Sequence, residues 1–200
     1  GVDLCVGCTY KYGNSGPGSP AWLYVSKRVQ KELQVPIQGW FAQDAQFEMG
    51  PVFERSQTIR GFQIASPSLM GIRCVQTAFS MIKEAGIDAI AHKAAVGTQM
   101  MIELYDAWLA PLGIELNTSR DAKERGGHIS LVHPDAAQIC VAMRTISNVI
   151  PDYRTPNSIR IAISPLPTSY VEIWDGLERM RDLVASGRYK EAVEGGSRVT

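Results

Sequence analysis

A lysine placed between a short strand and a tight turn is the feature that most restricts the fold of this chain. Val2, Leu4 and Val6 alternate with other residues as in a β-strand, and a turn rich in Gly, Pro and Asn follows over residues 13–18. Lys11 lies at this junction, so we expect its backbone to be held rigidly. A fixed, partly desolvated lysine with open space in front of its amine suits Schiff-base chemistry. From spacing alone, an ordinary surface lysine before a loop is the alternative.

Composition and charge argue against several classes of partner. The chain has 45% hydrophobic and 20% charged residues, as expected of a globular protein with a buried core. Its 20 basic and 20 acidic residues balance without a long run of one sign, so we expect no nucleic-acid or membrane partner. No apolar stretch approaches the roughly 18 residues of a membrane span, and no secretory leader pattern is present. We therefore expect a cytoplasmic protein.

The cysteines and histidines do not predict a metal site. Cys5 and Cys8 have the spacing of a metal or redox pair, but no second pair of Cys or His follows to complete four ligands. Cys74 and Cys140 stand alone. We interpret all four cysteines as small buried residues of a protein from a reducing compartment.

The first half of the chain predicts two strands, a long loop and two helices. Strands are expected over residues 1–8 and 21–25, and the irregular stretch 27–60 is expected to be a functional loop. Leu69, Ile72, Val75, Phe79 and Ile82 have helical spacing, which predicts a helix over 68–85. A second helix should follow Gly86, with Asp88 as its cap and Pro111 and Gly113 at its end. The Met and aromatic residues of these helices are expected to form core rather than a ligand site.

The remainder alternates between strands and helices. We expect strands over 127–132 and 158–163 and helices over 135–145 and 168–184, which together indicate an α/β sandwich. Two domains follow from this pattern, one over residues 1–85 that includes the linking helix, and a smaller α/β domain over 86–200. The Gly-Gly-Ser segment at 195–197 is expected to be frayed.

Several segments resemble one enzyme family in order and spacing. They are Cys8-Thr9-Tyr10-Lys11-Tyr12-Gly13-Asn14-Ser15-Gly16-Pro17-Gly18, Gly39-Trp40-Phe41, Gly61–Pro67, Glu124–Gly127, Pro156–Ala162 and the Pro165-Leu166 step. The chain resembles kynureninases, which are pyridoxal-phosphate-dependent hydrolases of the aspartate-aminotransferase-like fold type I. It looks like their C-terminal half, with the end of the large domain followed by the small α/β domain.

The resemblance implies a role for particular residues. Lys11 would hold pyridoxal 5'-phosphate and exchange protons with the substrate, and Tyr10 would reach the cofactor phosphate and serve as a candidate proton donor. Trp40 would also contact the phosphate, typically that of the partner subunit, so a homodimer with its active site at the subunit interface is implied. Arg160 would bind the α-carboxylate of an amino-acid substrate, for which a guanidinium suits better than an ammonium.

Two positions depart from the family pattern. Ser66 stands where the family usually has Asn, and Gln43 stands where it commonly has His. Ser66 would lie near the cofactor or the substrate, and Gln43 near the aryl end of the substrate. Because the loss of a hydrogen bond to a substrate changes discrimination strongly, these departures leave the natural substrate open.

The family resemblance implies cleavage of the Cβ–Cγ bond of L-kynurenine, 3-hydroxy-L-kynurenine or a related γ-keto amino acid, giving an anthranilate-type acid and L-alanine. A second hypothesis keeps the fold but changes the reaction to that of an aminotransferase, a lyase or an epimerase. Cysteine desulfurases are disfavoured, because their Ser-x-His-Lys pattern differs from Cys8-Thr9-Tyr10-Lys11. A non-catalytic scaffold that retains the fold is the third hypothesis.

Overall fold

The computed structural model describes residues 1–192 and divides the chain into two compact units. The first unit is Gly1–Glu84, and the second begins at Ala85. The segment at 195–197, which the sequence predicts to be frayed, lies outside the described residues. Within residues 1–192, every helix is too short or too polar to span a lipid bilayer.

The first unit contains a two-stranded antiparallel sheet. Strand β1 (Leu4–Gly7) pairs with β2 (Trp22–Val25), in the register Leu4 opposite Val25. Both strands were expected from the sequence and are confirmed. Leu4 and Val6 are nevertheless exposed.

The long stretch between β2 and the first helix is irregular but held together by polar contacts. Gln43 and Arg55 form an isolated antiparallel bridge, and the Arg55 guanidinium donates to the carbonyls of Gln30 and Leu33, at 3.1 Å each. The predicted structured loop over 27–60 is therefore confirmed. Two short 3₁₀ turns, Trp40–Ala42 and Ile59–Phe62, are its regular pieces.

Helix α1 (Leu69–Ala85) forms where the apolar spacing predicts it. Its buried residues are small, however: Gly71 and Ala78 are buried, whereas Leu69 and Phe79 are exposed. The apolar spacing thus predicted the helix correctly but not which residues are buried within this chain.

The second unit contains an antiparallel four-stranded sheet, with the strands in the order β3-β4-β6-β5. Its strands are β3 (Glu115–Leu116), β4 (His128–Val132), β5 (Asp152–Arg154) and β6 (Ser158–Ala162). The two strands predicted from the sequence, β4 and β6, are the central pair. The short edge strands β3 and β5 were missed, because two or three residues are too few to show a period.

Three helices cover one face of this sheet. They are α2 (Ile87–Leu104), α3 (Ala136–Thr145) and α4 (Tyr170–Ala185), all at the predicted places. Ile129, Leu131 and Ile159 of the sheet are fully buried against this layer, as is Met101 of α2. The residues between them along β4 and β6 point to the other face, which is polar and partly open. The unit is a two-layer α/β sandwich.

The start of helix α2 differs from the sequence prediction, whereas its end agrees with it. Helix α2 begins at Ile87 with Gly86 at the capping position, at φ 82°, so Asp88 lies in the first turn and is not the cap. The helix continues through a π-helical turn, Tyr105–Leu109, and a 3₁₀ turn, and ends at Gly113 as expected.

The cysteines are less buried than the sequence predicts. Cys140 is buried, and burial is the main cause that raises the pKa of its thiol to about 12. Cys5, Cys8 and Cys74 are exposed, so the expectation that all four cysteines are buried is wrong. No cluster of three potential metal ligands occurs within residues 1–192.

Candidate active site

The turn that carries Lys11 is stabilised by hydrogen bonds. The backbone N–H of Asn14 donates to the Lys11 carbonyl at 2.9 Å, and the backbone N–H of Ser15 donates to the Thr9 carbonyl at 3.2 Å. The Ser15 hydroxyl donates to the same Thr9 carbonyl, and the Thr9 hydroxyl donates to the Pro20 carbonyl at 2.7 Å. Thr9 and Ser15 are both buried. The backbone on both sides of Lys11 is therefore fixed.

Helix α1 supports this turn from within the same unit. A Cβ atom added at Gly13 would lie 2.4 Å from the Thr9 carbonyl oxygen and 3.1 Å from Cε2 of Phe79. One added at Gly71 would lie 2.8 Å from Cδ of Pro20. These close approaches require glycine and place α1 directly against the segment that follows the lysine.

The side chain of Lys11 is exposed. Its Nζ lies 5.4 Å from the centroid of the Tyr10 ring, and Tyr10 is itself about half exposed. The open space in front of the amine agrees with the sequence analysis. The expected partial desolvation of the lysine is not present in this chain, because β1 and the turn cover only the backbone.

Trp40 lies at the start of a 3₁₀ turn whose entry is packed tightly. A Cβ at Gly39 would lie 2.0 Å from the Ile64 carbonyl oxygen, so the segments 39–41 and 61–67 are in contact. The Trp40 ring is half exposed and meets the Phe41 and Phe47 rings edge-on, with centroids 4.9 and 6.2 Å away.

Gln43 is engaged by its own loop. The backbone N–H of Glu54 donates to Oε1 of Gln43 at 2.8 Å, and Nε2 of Gln43 donates to the Val52 carbonyl at 3.4 Å. Gln43 and Trp40 both line a cavity of about 260 Å³, together with residues 46 and 49–53. Ser66 is exposed in the segment before α1 and does not line this cavity.

Arg160 lies on the open face of the second unit, in the central strand β6. It stands opposite Asp152 of β5 and opposite Ser130 of β4. Nη2 of Arg160 donates to Oδ2 of Asp152, and both side chains are partly exposed. Among residues 1–192, the buried Nε of Arg160 has no hydrogen-bond partner.

His128 is on the same strand face, two residues from Ser130. Burial is the main cause that lowers the pKa of His128 from its ordinary value, and the positive charge of Arg160 lowers it further. Both effects disfavour the charged imidazolium of His128.

Arg125, in the segment Glu124–Gly127, has a structural role in the same unit. Its Nε donates to the hydroxyl of the fully buried Thr98 at 3.0 Å, and Nη1 donates to the Arg120 carbonyl at 2.6 Å. This arginine connects the loop before β4 to helix α2 through hydrogen bonds.

The structure thus places Lys11 and Tyr10 on one hydrogen-bonded turn, Trp40 and Gln43 at one cavity, and Arg160 on the open face of the second unit.

Sequence reasoning missed Asp152, the ion-pair partner of Arg160. The sequence carries no clear signal for this pair, because it forms only when the three-residue strand β5 pairs with β6.

Solved structures with a similar fold define the class. An apo cysteine desulfurase from Thermococcus onnurineus NA1 matches with a TM-score of 0.75 and 16% identity, over 92% of this chain and 48% of that one. A mutant of C-DES with glycine linked covalently to its PLP cofactor matches with a TM-score of 0.61 and 15% identity, over 82% and 43%. The chain therefore has the α/β fold of fold type I PLP-dependent enzymes.

Sequence comparisons show a similarity to kynureninases. Residues 90–180 match the family model of the kynureninase C-terminal domain. The chain is 37% identical to the kynureninase of Geobacillus thermodenitrificans (strain NG80-2), over 96% of its own length and 45% of that protein. It is 34% identical to the kynureninase of Burkholderia mallei (strain SAVP1), over 92% and 44%. The chain is therefore similar to kynureninases along almost all of its own length, and it spans less than half the length of these relatives.

Proposed function

We propose that this chain is part of a kynureninase-like enzyme, a pyridoxal-phosphate-dependent hydrolase of carbon–carbon bonds. The reaction would cleave L-kynurenine, 3-hydroxy-L-kynurenine or a related γ-keto amino acid to an anthranilate-type acid and L-alanine, in tryptophan and kynurenine catabolism. The observation that carries the proposal is the 37% identity to a kynureninase along 96% of the chain, together with the fixed turn that presents Lys11.

The residues of the first unit fit the proposed cofactor. Lys11 combines a backbone fixed on both sides with an exposed amine, as a lysine that binds an aldehyde covalently requires. Tyr10, adjacent to it, and Trp40 would bind the phosphate through their O–H and N–H groups. Ser66 would add a hydroxyl near the cofactor or the substrate.

When bound, pyridoxal phosphate supplies an electron sink for the bonds at the substrate Cα. In the proposed reaction, the Lys11 amine removes the Cα proton and later returns a proton. Tyr10 is proposed as a proton donor. Arg160 would bind the α-carboxylate and so fix the orientation of the substrate. Water adds to the side-chain carbonyl at Cγ, and the Cβ–Cγ bond breaks to give the acid and alanine.

The substrate within this class depends on Gln43 and Ser66. Both hydrogen bonds of the Gln43 amide go to the backbone of residues 52–54, which favours a structural role for Gln43 over direct substrate recognition. This observation supports two alternatives to L-kynurenine cleavage. The substrate could be a related γ-keto amino acid, or the enzyme could catalyse the reaction of another fold type I PLP enzyme. We propose further that the protein is a homodimer, as the family resemblance implies, and that it is cytoplasmic.

Product analysis tests the proposal. The protein carrying this chain, loaded with pyridoxal phosphate, should convert L-kynurenine into equal amounts of anthranilate and alanine. The Lys11→Ala variant, measured in parallel, should release neither product. Formation of a keto acid in place of alanine would assign an aminotransferase reaction and contradict the proposed hydrolysis.

A further inference from the structure

The carboxylate of Asp152 is shared between two arginines on the open face of the second unit. Oδ2 of Asp152 accepts a hydrogen bond from Nη2 of Arg160, and also from Nε and Nη2 of Arg154, at 2.9 and 2.7 Å. All three side chains project from the same face of the β5–β6 pair, because Asp152 stands opposite Arg160 in the register and Arg154 is two residues further along β5.

We propose that Asp152 is a positioning residue, which holds Arg160 ready for a substrate carboxylate. The inference rests on the carboxylate-binding role that the proposed function gives to Arg160. Asp152 occupies one terminal nitrogen of the guanidinium and leaves the other available to a ligand. The side chains of Arg160 and Asp152 are 38% and 27% exposed, so the pair lies at the surface of the sheet and a ligand can reach it.

Two opposing effects decide what Asp152 does for binding. Its negative charge reduces the attraction between Arg160 and an anion, so removing the charge would strengthen binding through electrostatics alone. Its hydrogen bond, however, keeps a long side chain in one orientation, and the ordering of such a side chain otherwise lowers affinity. Charges at this exposure are screened by water and salt, so the ordering effect should dominate.

The local surroundings strengthen this conclusion. The buried Nε of Arg160 has no hydrogen-bond partner among the described residues, and within them the guanidinium is held through the bond from Nη2 to Asp152. Without that bond, the guanidinium should turn toward water, where all its donors can be satisfied. Ser130, on the other side of Arg160, is too short to replace a carboxylate that bridges two arginines.

Binding of two small ligands tests the proposal without dependence on turnover. We would measure the dissociation constants of L-alanine and L-alaninamide by calorimetry for the cofactor-loaded protein and its Asp152→Asn variant. Asparagine keeps the shape of the side chain and removes its charge. L-Alanine should bind about 5- to 30-fold more weakly to the variant, because one charge-assisted contact no longer orders Arg160. L-Alaninamide, which lacks the carboxylate, should change less than about twofold.

Matched variants separate positioning from stability. Arg154→Gln removes the other partner of the same carboxylate and should leave alanine affinity within about twofold. Asp152→Glu keeps the charge and should lose less affinity than Asp152→Asn. If Asp152→Asn lowers the folded fraction, judged by thermal unfolding, all affinities are measured at a lower temperature at which every variant is folded. Equal affinity of the Glu and Asn variants would contradict the proposal.

The outcomes also separate this proposal from the proposed function. If the unmodified protein binds alanine and alaninamide equally, Arg160 does not bind the carboxylate, and both ideas fail. If it prefers alanine and Asp152→Asn binds alanine as well or more tightly, only the positioning role of Asp152 is wrong.

Discussion

At the scale of single residues, the two principal candidates are held in different ways. Lys11 depends on its backbone, which the Thr9–Ser15 contacts fix while the amine remains exposed. Arg160 depends on a side-chain partner, Asp152, in the neighbouring strand. A substitution of Lys11 should therefore affect cofactor attachment and chemistry but not the fold, whereas a substitution of Arg160 also changes the charge balance of a sheet face.

Replacement of Arg160 by lysine should impair substrate binding. Lysine keeps the charge but loses the planar pair of donors that matches a carboxylate. We expect KM to rise and kcat/KM to fall by roughly 10- to 1000-fold, as for the loss of a charge-assisted contact worth a few kcal/mol. Steady-state kinetics of the Arg160→Lys variant measure this. A change below about threefold would mean that Arg160 does not hold the carboxylate.

His128 should make stability depend on pH. Burial and the charge of Arg160 lower its pKa in the folded state, whereas an unfolded histidine has a pKa of about 6.5. The unfolded chain then binds more protons between these two values, so the contribution of His128 to stability is complete above about pH 6.5 and is lost as the pH falls through that window.

Two variants check the cause of this shift. Arg160→Gln should raise the pKa of His128 in an NMR titration, because a nearby cation disfavours the imidazolium. Arg154→Gln also removes a positive charge from this face and should have a smaller effect, since Arg154 is not among the causes of the shift. An equal rise in both variants would show that general surface charge, not Arg160, is responsible.

At the scale of elements, the long helices and the central strands could be predicted, because their apolar periods extend over five or more residues. The edge strands β3 and β5 could not, since they form only by pairing with β4 and β6. The fixed turn around Lys11 followed from its Gly, Pro and Asn content. The exposure of Leu4, Val6 and Phe79 did not, because periodicity shows which residues can be buried but not what covers them.

Alanine substitutions at two helix glycines should have opposite effects on the free energy of unfolding. A Cβ at Gly176 in α4 meets no atom within 4 Å, so Gly176→Ala should raise the free energy of unfolding by roughly 0.5–1 kcal/mol through helix propensity. A Cβ at Gly97 in α2 would lie 2.7 Å from Cδ1 of Ile163 and 3.1 Å from Cδ1 of Ile173. Gly97→Ala should therefore lower the free energy of unfolding by about 1 kcal/mol, since this site is buried and packed.

Urea denaturation of the two alanine variants measures both values under the same conditions. The two substitutions are chemically identical, so their difference reports only on the space around each glycine. Equal stabilisation by both variants would show that α2 is not packed against Ile163 and Ile173 as described.

At the scale of the whole molecule, the chain combines two compact units and spans less than half the length of its kynureninase relatives. The first unit supplies the proposed cofactor lysine, and the second supplies the proposed carboxylate-binding arginine. The similarity to kynureninases extends along both units, which supports one function for the chain rather than a function of either unit alone.

The most direct test of the account is to locate the covalent attachment of the cofactor. The protein carrying this chain would be loaded with pyridoxal phosphate, reduced with borohydride, digested and mapped by mass spectrometry. The account predicts the reduced pyridoxyl group on Lys11, with no label at that peptide in the Lys11→Ala variant. The thermal unfolding of the cofactor-free variant should be unchanged, because the Lys11 side chain is exposed. A specific label on another lysine, or tight cofactor binding that Lys11→Ala leaves covalent, would contradict it.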